Sequence, residues 1–458
     1  AWHELMGLIR GSAYHSLGWT ANRSGSQVAR AGIAYLWGQG EPGVCCPASM
    51  SFASIAALRH APEQLVKFRD GILSDRHDPR PLPPGRKEAL TVGMAMTEKQ
   101  GGSDLRQTQT TAKSVGQGRW EITGHKWFFS VPTSDLFLTL ARTEAGISCF
   151  LAQGWRDDGS RNRLALQRLK DKCGNRSNAS SEVEFHRLEA VLVGEEGRGI
   201  ATILEMAHLT RLECAIGAAA LMRHAVTLTA HHAAHRSAFQ RLLVDQPVMR
   251  NVIADMALEA EAAMWLAMRA AWAVDRAPHD AGEAALARVI VPVAKYFICK
   301  RAPGLVAEAL ECHGGNGFIE ENPIARLYRE APLNGLWEGA GNVICLDVIR
   351  ALSRAPDGAG AFLGEIRQAR GADPGLDALA AGLEDALARP QAMEGVARRL
   401  VERMALALSA SLLVRFAPTP VAEAFRARLG GGGSAYGTLP EGSDLSFLIR
   451  RAQVAGSA

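Results

Sequence analysis

Met96-Thr97-Glu98-Lys99-Gln100-Gly101-Gly102-Ser103-Asp104 closes an apolar, strand-like run, Leu90-Thr91-Val92-Gly93-Met94-Ala95-Met96, with hydroxyls and adjacent glycines. A turn of that make brings backbone N–H groups and small hydroxyls close to an anionic or carbonyl-rich ligand. A second stretch lies far downstream. Leu336-Trp337-Glu338-Gly339-Ala340-Gly341-Asn342 sets one carboxylate between bulky apolar residues and glycines.

Outward from these two stretches the chain changes period twice. From Ala1 to about Asp78 apolar residues recur at helical spacing, as in Val28 to Trp37 and Ser49 to Leu58. Four prolines between Asp78 and Gly85 then form a rigid loop or linker. β territory follows from Leu90 to about Val193. Trp120 to Phe129 reads as a hairpin around Gly124, and Leu136 to Ala141, Ile147 to Ala152 and Ser181 to Phe185 read as short strands. Their spacing predicts a compact antiparallel sheet or barrel. From Gly199 the helical period returns, over Ile200 to His235, Gln246 to Asp275, Ala281 to His313 and Gly339 to Arg354. Four such helices predict a bundle. Three or four further helices follow a break at 355–360, and Gly430 to Gly433 reads as a flexible spacer. The expected fold is mainly α with a central β-domain, divided at 1–89, 90–197, 198–354 and 355–458. No alternating βαβ pattern supports a doubly wound nucleotide fold.

Composition narrows the function classes. With 458 residues and 47% hydrophobic content the chain holds two or three packed units. A net charge of +4 does not announce a nucleic-acid binder. None of the eight cysteines forms a Cys-x-x-Cys pair, which points to reduced thiols and a cytoplasmic protein. No charge-free stretch spans a bilayer, and no membrane association is expected. The chain opens on Ala1 already in a helical pattern, so natural residues are expected before it.

Single residues give weaker signals. His231 and His235 stand four apart on a helix, but His232 replaces the Glu of a metalloprotease motif, and a solvated face is the better reading. No metal is expected. Residues 156–176 carry seven Lys/Arg against three Asp and read as a solvated loop, with contact to a phosphate-bearing ligand as the alternative. Glu338 beside Trp337 suits a general base whose pKa is raised by an apolar pocket, or a first-turn Glu of the following helix. His313-Gly-Gly-Asn-Gly-Phe is either a plain helix C-cap or a place where backbone approaches a cofactor. No Walker A run and no Gly-x-Gly-x-x-Gly is present.

Taken together, the motifs resemble the acyl-CoA dehydrogenase superfamily. Met96 to Asp104, Gly124-His-Lys-Trp-Phe-Phe-Ser130, Lys172-Cys-Gly-Asn-Arg176, Leu192 to Ile200, Arg236-Ser-Ala-Phe239, Gly314-Gly-Asn-Gly-Phe318 and Trp337 to Asn342 stand in family order. Thr97 to Asp104, His125 to Ser130, Leu169 to Ser180 and Tyr328-Arg-Glu330, with the extra helices after Ala355, look like the adaptive-response, AidB-type branch. The resemblance implies an FAD protein: an N-terminal helical domain, a middle β-domain and a C-terminal four-helix bundle. The flavin is expected between sheet and bundle. Met96 and Thr97 would meet the flavin, Thr97 at its pyrimidine edge, and Ser103 the pyrophosphate. Phe128, Phe129 and Ser130 would lie by the ring. Arg236, Phe239, Gln246, Gly314 and Gly315 would serve the adenine half in a neighbouring subunit, and Asn342 the FAD chain. Glu338 would remove the α-proton while the β-hydride passes to the flavin. Some relatives carry the base just before an Arg on a bundle helix, but here that position is Thr210, before Arg211. Glu311 and Gln240 depart from the usual Gln and Gly.

The implied function is an acyl-CoA dehydrogenase-like oxidoreductase, a homotetramer with an acyl-CoA or related substrate and an electron-transfer partner. The alternatives are an oxidase, or a flavoprotein whose main role is binding double-stranded DNA in the alkylation-damage response. Against the last, residues 351–458 carry twelve Arg and eleven Asp/Glu, a net of only +1.

Overall fold

The computed structural model describes residues 1–21, 23–429 and 436–454. Its chain folds as two units, Ala1–Glu213 and Cys214–Ala458. The boundary falls inside one long helix. The Gly430 to Gly433 spacer lies outside the described residues.

The first unit opens on helices α1 (Trp2–Gly11), α2 (Leu17–Thr20), α3 (Ser26–Gly40), α4 (Pro42–Leu58) and α5 (Pro62–Leu73). Pro42 sits in the first turn of α4, and the Glu41 carboxylate accepts from the Gly43 N–H at 2.9 Å, so the start of this helix is fixed twice. From Pro47 to Leu58 every residue of α4 is buried, as an all-round apolar helix must be. The proline-rich stretch after α5 is held rigidly. Arg10, 1% exposed, donates to the carbonyls of Gly71, Ile72, Ser74, Arg76 and Leu90, and so staples both ends of that stretch to α1.

The sheet comprises β1 (Val92–Ala95), β2 (Thr111–Gly116), β3 (Arg119–Ser130), β4 (Leu136–Thr143), β5 (Gly146–Gln153), β6 (Leu164–Leu169) and β7 (Ser180–Val193). Its order is β1-β3-β2-β4-β5-β7-β6, and additional β1–β4 and β3–β7 pairings curl it towards a barrel. Phe129, Phe137, Phe150 and Phe185 fill the inside. Three sequence expectations are corrected. β1 runs parallel to β4, so the sheet is mixed rather than antiparallel. Trp120 to Phe129 is one continuous strand, and the hairpin turn is Gln117-Gly118, both at positive φ (55° and 70°). Gly124 marks a close approach instead: a Cβ there would lie 2.7 Å from Thr110 Cα. Finally, part of the basic segment read as a loop is strand β6, paired to β7.

The sheet leads into α6 (Gly199–His235), which crosses the unit boundary. The second unit continues through a hairpin of β8 (Ser237–Ala238) and β9 (Arg241–Leu242), then α7 (Pro247–Arg276), α8 (Ala281–Cys312), α9 (Pro323–Glu330) and α10 (Gly341–Arg354). The appended helices are α11 (Pro356–Arg367), α12 (Pro374–Leu387), α13 (Ala397–Phe416), α14 (Thr419–Leu429) and α15 (Leu445–Ala452). α8 lies against α7, α10, α11 and α13, which makes the appended helices part of one core with the bundle. A largely buried ion network seals this junction: Arg269 of α7 meets Glu283 and Glu365 at 2.8 Å each, and Arg415 meets Glu365 at 2.7 Å. Among the described residues no helix is long and apolar enough to cross a membrane.

Candidate functional site

In the first unit the motif that follows β1 folds as a tight loop. Glu98 and Gly101 exchange backbone hydrogen bonds at 3.0 and 3.3 Å, and Gly101 takes φ +138°. Gly102 lies so close to Thr97 that a Cβ would stand 2.4 Å from its Oγ1. Only glycine permits that packing. Thr97 is pinned through its backbone, its carbonyl accepting from Trp127 N–H at 2.8 Å. Among the described residues the Thr97 and Ser103 hydroxyls have no partner. Met96 is half-buried beside them.

Glu98, inside the same motif, is structural. It is 1% exposed and accepts from Lys126 Nζ at 2.7 Å, Gln100 Nε2 at 2.7 Å, and the N–H groups of Gln109 and Thr110 at 2.7 and 3.2 Å. Burial alone would raise its carboxyl, but the Lys126 ammonium and these donors outweigh it and hold the group well below the ordinary carboxylate range.

The end of β3 separates its three aromatic residues. Phe128 is 46% exposed, whereas Phe129 is fully buried against Phe137 at 4.8 Å between ring centroids. The side chain of Phe129 therefore belongs to the sheet core, which corrects its expected cofactor role: only its backbone is left for a ligand. Trp127 is fixed by Lys170, whose Nζ sits 3.3 Å over the ring and 2.6 Å from Glu182. The Ser130 hydroxyl lies 3.4 Å from that of Ser180, and Val131 follows at φ +52°, a strained angle for a β-branched residue. Its N–H reaches Ala179 carbonyl at 2.7 Å, tying the strand end to the 170–180 loop.

That loop holds a residue missed in the sequence. Asn178 is 1% exposed, yet neither its side-chain oxygen nor its nitrogen has a partner among the described residues. A buried orphan amide is costly, and nothing in the local packing of the described residues offsets it. Local sequence gives no cue, because Asn178 sits in an ordinary polar run.

In the second unit Glu338 stands at φ +58°, followed by Gly339 at +109°. A glutamate in the left-handed region costs about 1–3 kcal/mol and persists only where its surroundings impose it. Here they do. Trp337 Nε1 donates to Asn334 Oδ1 at 2.9 Å, and Lys295, 1% exposed, donates to the Gly339 carbonyl. A Cβ on Gly339 would approach Ile344 Cδ1 to 2.9 Å. Glu338 precedes α10 and is neither fully buried nor fully exposed. The other position considered for a base is inert: Thr210 is buried and its hydroxyl donates to the Ala207 carbonyl at 3.2 Å. Asn342, exposed in the first turn of α10, accepts from Arg398 Nε at 2.8 Å.

The adenine-side candidates are gathered at the C-terminal end of α6. Gln246 Nε2 holds the Ala238 carbonyl at 3.0 Å, and Leu243 N–H holds the Arg236 carbonyl at 2.8 Å. The hairpin between them turns on Phe239 (φ +51°) and Gln240 (φ +62°), a type I′ pattern made without glycine. Phe239 is 93% exposed, and Arg236 is exposed with no side-chain partner among the described residues. His232 stacks on His313 at 4.5 Å, which fastens the turn containing Gly314 and Gly315 to α6. A Cβ on either glycine would meet nothing within 4 Å. His235 Nδ1 is taken up by the His231 carbonyl at 2.8 Å, and no metal-holding group of three or more ligands exists among the described residues.

These residues fit a flavin dinucleotide by their chemistry. Among the described residues the first unit offers unpartnered hydroxyls and an exposed ring; the second offers an unpaired guanidinium, an exposed Phe and open glycine backbone. Family models match in chain order: the AidB N-terminal domain over residues 1–79, the acyl-CoA dehydrogenase middle domain over 93–188 and the acyl-CoA dehydrogenase C-terminal domain over 197–353. AidB of Escherichia coli K12 is 43% identical over 427 residues, covering 93% of this chain and 78% of that protein. Among solved structures, Caenorhabditis elegans ACDH-11 in complex with C11-CoA superposes with TM-score 0.82 at 25% identity, over 98% of this chain and 78% of that one. A Bacillus anthracis acyl-CoA dehydrogenase complexed with FAD gives TM-score 0.73 at 17% identity over 98% and 79%, a likeness of fold. With all three domain models in order and 93% of this chain matched to AidB, this chain belongs to the acyl-CoA dehydrogenase family, in the branch of AidB.

Proposed function

We propose that the protein is an FAD-dependent oxidoreductase that removes two hydrogens from an acyl thioester or a related compound, with Glu338 as the base. FAD is the cofactor of the family. Thr97, Ser103, Phe128 and Ser130 would hold its flavin and pyrophosphate. Arg236, Phe239, Gln246, Gly314 and Gly315 of a neighbouring copy would hold its adenine half, which makes a homotetramer the expected assembly. The division at 1–89, 90–197, 198–354 and 355–458 is proposed on the same footing.

One observation carries the reading: the only acid in the Trp337–Asn342 turn is held in a strained conformation by two hydrogen bonds and a glycine contact. Strain of this kind marks functional positions when the surroundings over-determine it. The Glu338 carboxylate takes the proton from the carbon next to the carbonyl. The Asn334–Trp337 and Lys295–Gly339 contacts fix the residues on either side of Glu338 and so the backbone that carries the carboxylate, which is how a protein supplies orientation to a proton transfer. FAD, when bound, supplies the acceptor for the hydride leaving the neighbouring carbon.

DNA binding by the appended helices is the weaker reading. Arg367, Arg415, Arg426, Arg428 and Arg451 are already paired with carboxylates of the same unit. The deciding experiment is an anaerobic titration of flavin-loaded protein with a panel of acyl-CoAs. Bleaching of the flavin absorbance by at least one acyl-CoA, lost in Glu338→Gln while FAD stays bound, supports the assignment. No bleaching by any of them sinks it.

A further inference from the structure

A side chain from the appended helices reaches the end of the Glu338 turn. Arg398 is the second residue of α13, and its Nε donates to Asn342 Oδ1 at 2.8 Å. Asn342 is in turn the second residue of α10, four positions after Glu338. The guanidinium also leans over Gly341. A Cβ there would meet Lys300 Cε at 2.9 Å, Tyr296 Cε2 at 3.3 Å and Arg398 Nη2 at 3.4 Å. Glycine at 341 is thus what lets side chains from α8 and α13 close over the start of α10. The residue before it, Ala340, gives that helix start no side-chain cap.

A carboxamide has two ends of opposite character: the oxygen accepts and the nitrogen donates. A surface asparagine with no fixed partner presents either end. Here Arg398 occupies the oxygen, so the exposed Asn342 is left showing its two N–H donors. That is the end an oxygen-rich, negatively charged chain requires.

We propose that Arg398 is a positioning residue: it fixes the Asn342 amide as a donor for the FAD chain and thereby makes cofactor retention depend on the appended helices. The proposal rests on the reading above that Asn342 serves FAD. Its physical content is an orientation, so it is separable from the positive charge of Arg398.

The test is the FAD dissociation constant of the full chain, followed by flavin fluorescence, in four variants. Arg398→Met keeps the stem and removes the donor. Arg398→Gln places an amide nitrogen where Nε was and removes the charge. Asn342→Ala and the double variant Arg398→Met/Asn342→Ala complete a cycle. Arg398→Met and Asn342→Ala are each expected to weaken FAD about tenfold, the scale of one lost hydrogen bond to a charged group. Arg398→Gln is expected to bind within about twofold of wild type, and the double variant no more weakly than Asn342→Ala. Melting of the FAD-free proteins is expected to be alike. If Arg398→Gln binds as poorly as Arg398→Met, or the two losses add, or Asn342→Ala binds normally, the positioning role is wrong while the flavin reading stands. If wild type takes up no FAD, the flavin reading itself has failed and this role goes with it.

Discussion

Glu98 and Glu338 each sit in a motif beside glycines, and the fold treats them in opposite ways. Glu98 is fully buried, its carboxylate saturated by a lysine and three further donors, on a backbone that needs no strain. Glu338 is half-exposed and forced into the left-handed region at the start of a helix. A saturated carboxylate cannot take up a proton without breaking its cage, so Glu98 is built to hold the loop. Glu338 sits on a strained backbone instead, and that strain is the feature behind its proposed role as the base. Residue type and motif membership do not separate the two; burial and backbone angle do.

The sharpest break between them is kinetic. Glu338→Gln is expected to lower kcat by roughly 10²–10⁴-fold, the usual worth of a general base, with an unchanged melting temperature. A variant that keeps its turnover would remove Glu338 from the chemistry. Glu98→Gln should do the reverse, costing about 3–5 kcal/mol in chemical denaturation because it leaves Lys126 buried and uncompensated. Glu98→Gln combined with Lys126→Met should recover much of that loss. A Glu98→Gln protein of normal stability would mean the pair is not the brace described here.

A buried histidine gives the first unit an acid limit of its own. His15 is fully buried, its Nε2 bonded to the Ser74 carbonyl at 3.0 Å; burial and the neighbouring Arg10 lower it from 6.5 to about 3. The unfolded chain binds the extra proton between those values, so stability is complete above about 6.5 and falls as the pH drops through the window. At pH 5 the cost is about 2 kcal/mol. His15→Gln should flatten the pH dependence of unfolding by that amount, and an unchanged acid slope would clear His15 of responsibility. The smallest effect tests strain without function. Gln240→Gly, which relieves one left-handed residue but loosens the unfolded chain, should raise stability by about 0.5 kcal/mol. Destabilisation instead would show that the Gln240 side chain makes a contact worth more than the strain.

Much of the architecture was legible because it rests on period and punctuation. The four long helices, the helix–sheet–helix order and the strand segments at Leu136 and Ile147 follow from apolar spacing and from Pro and Gly positions. Where the reading failed, a distant contact had decided. Gly124 looked like a turn because glycine usually is one, yet it serves a close approach from Thr110. Residues 164–169 read as part of a solvated loop because the charges of the surrounding 156–176 segment mask a strand that exists by pairing with β7. Phe128 and Phe129 are neighbours of one residue type, and strand alternation put one in the core and one on the surface.

The same division holds for the candidate site. Sequence by itself determined which residues are candidates for the chemistry, since hydroxyls, glycines and a lone carboxylate are properties of residue type and spacing. Tertiary structure alone decided which of them are committed and which remain available. Glu98 is spent on Lys126, Asn178 is buried without a partner, and Arg398 arrives at Asn342 from 56 residues away. Hydrogen-bond saturation, backbone strain and burial are set by neighbours that the fold brings together, and no local window of sequence contains them.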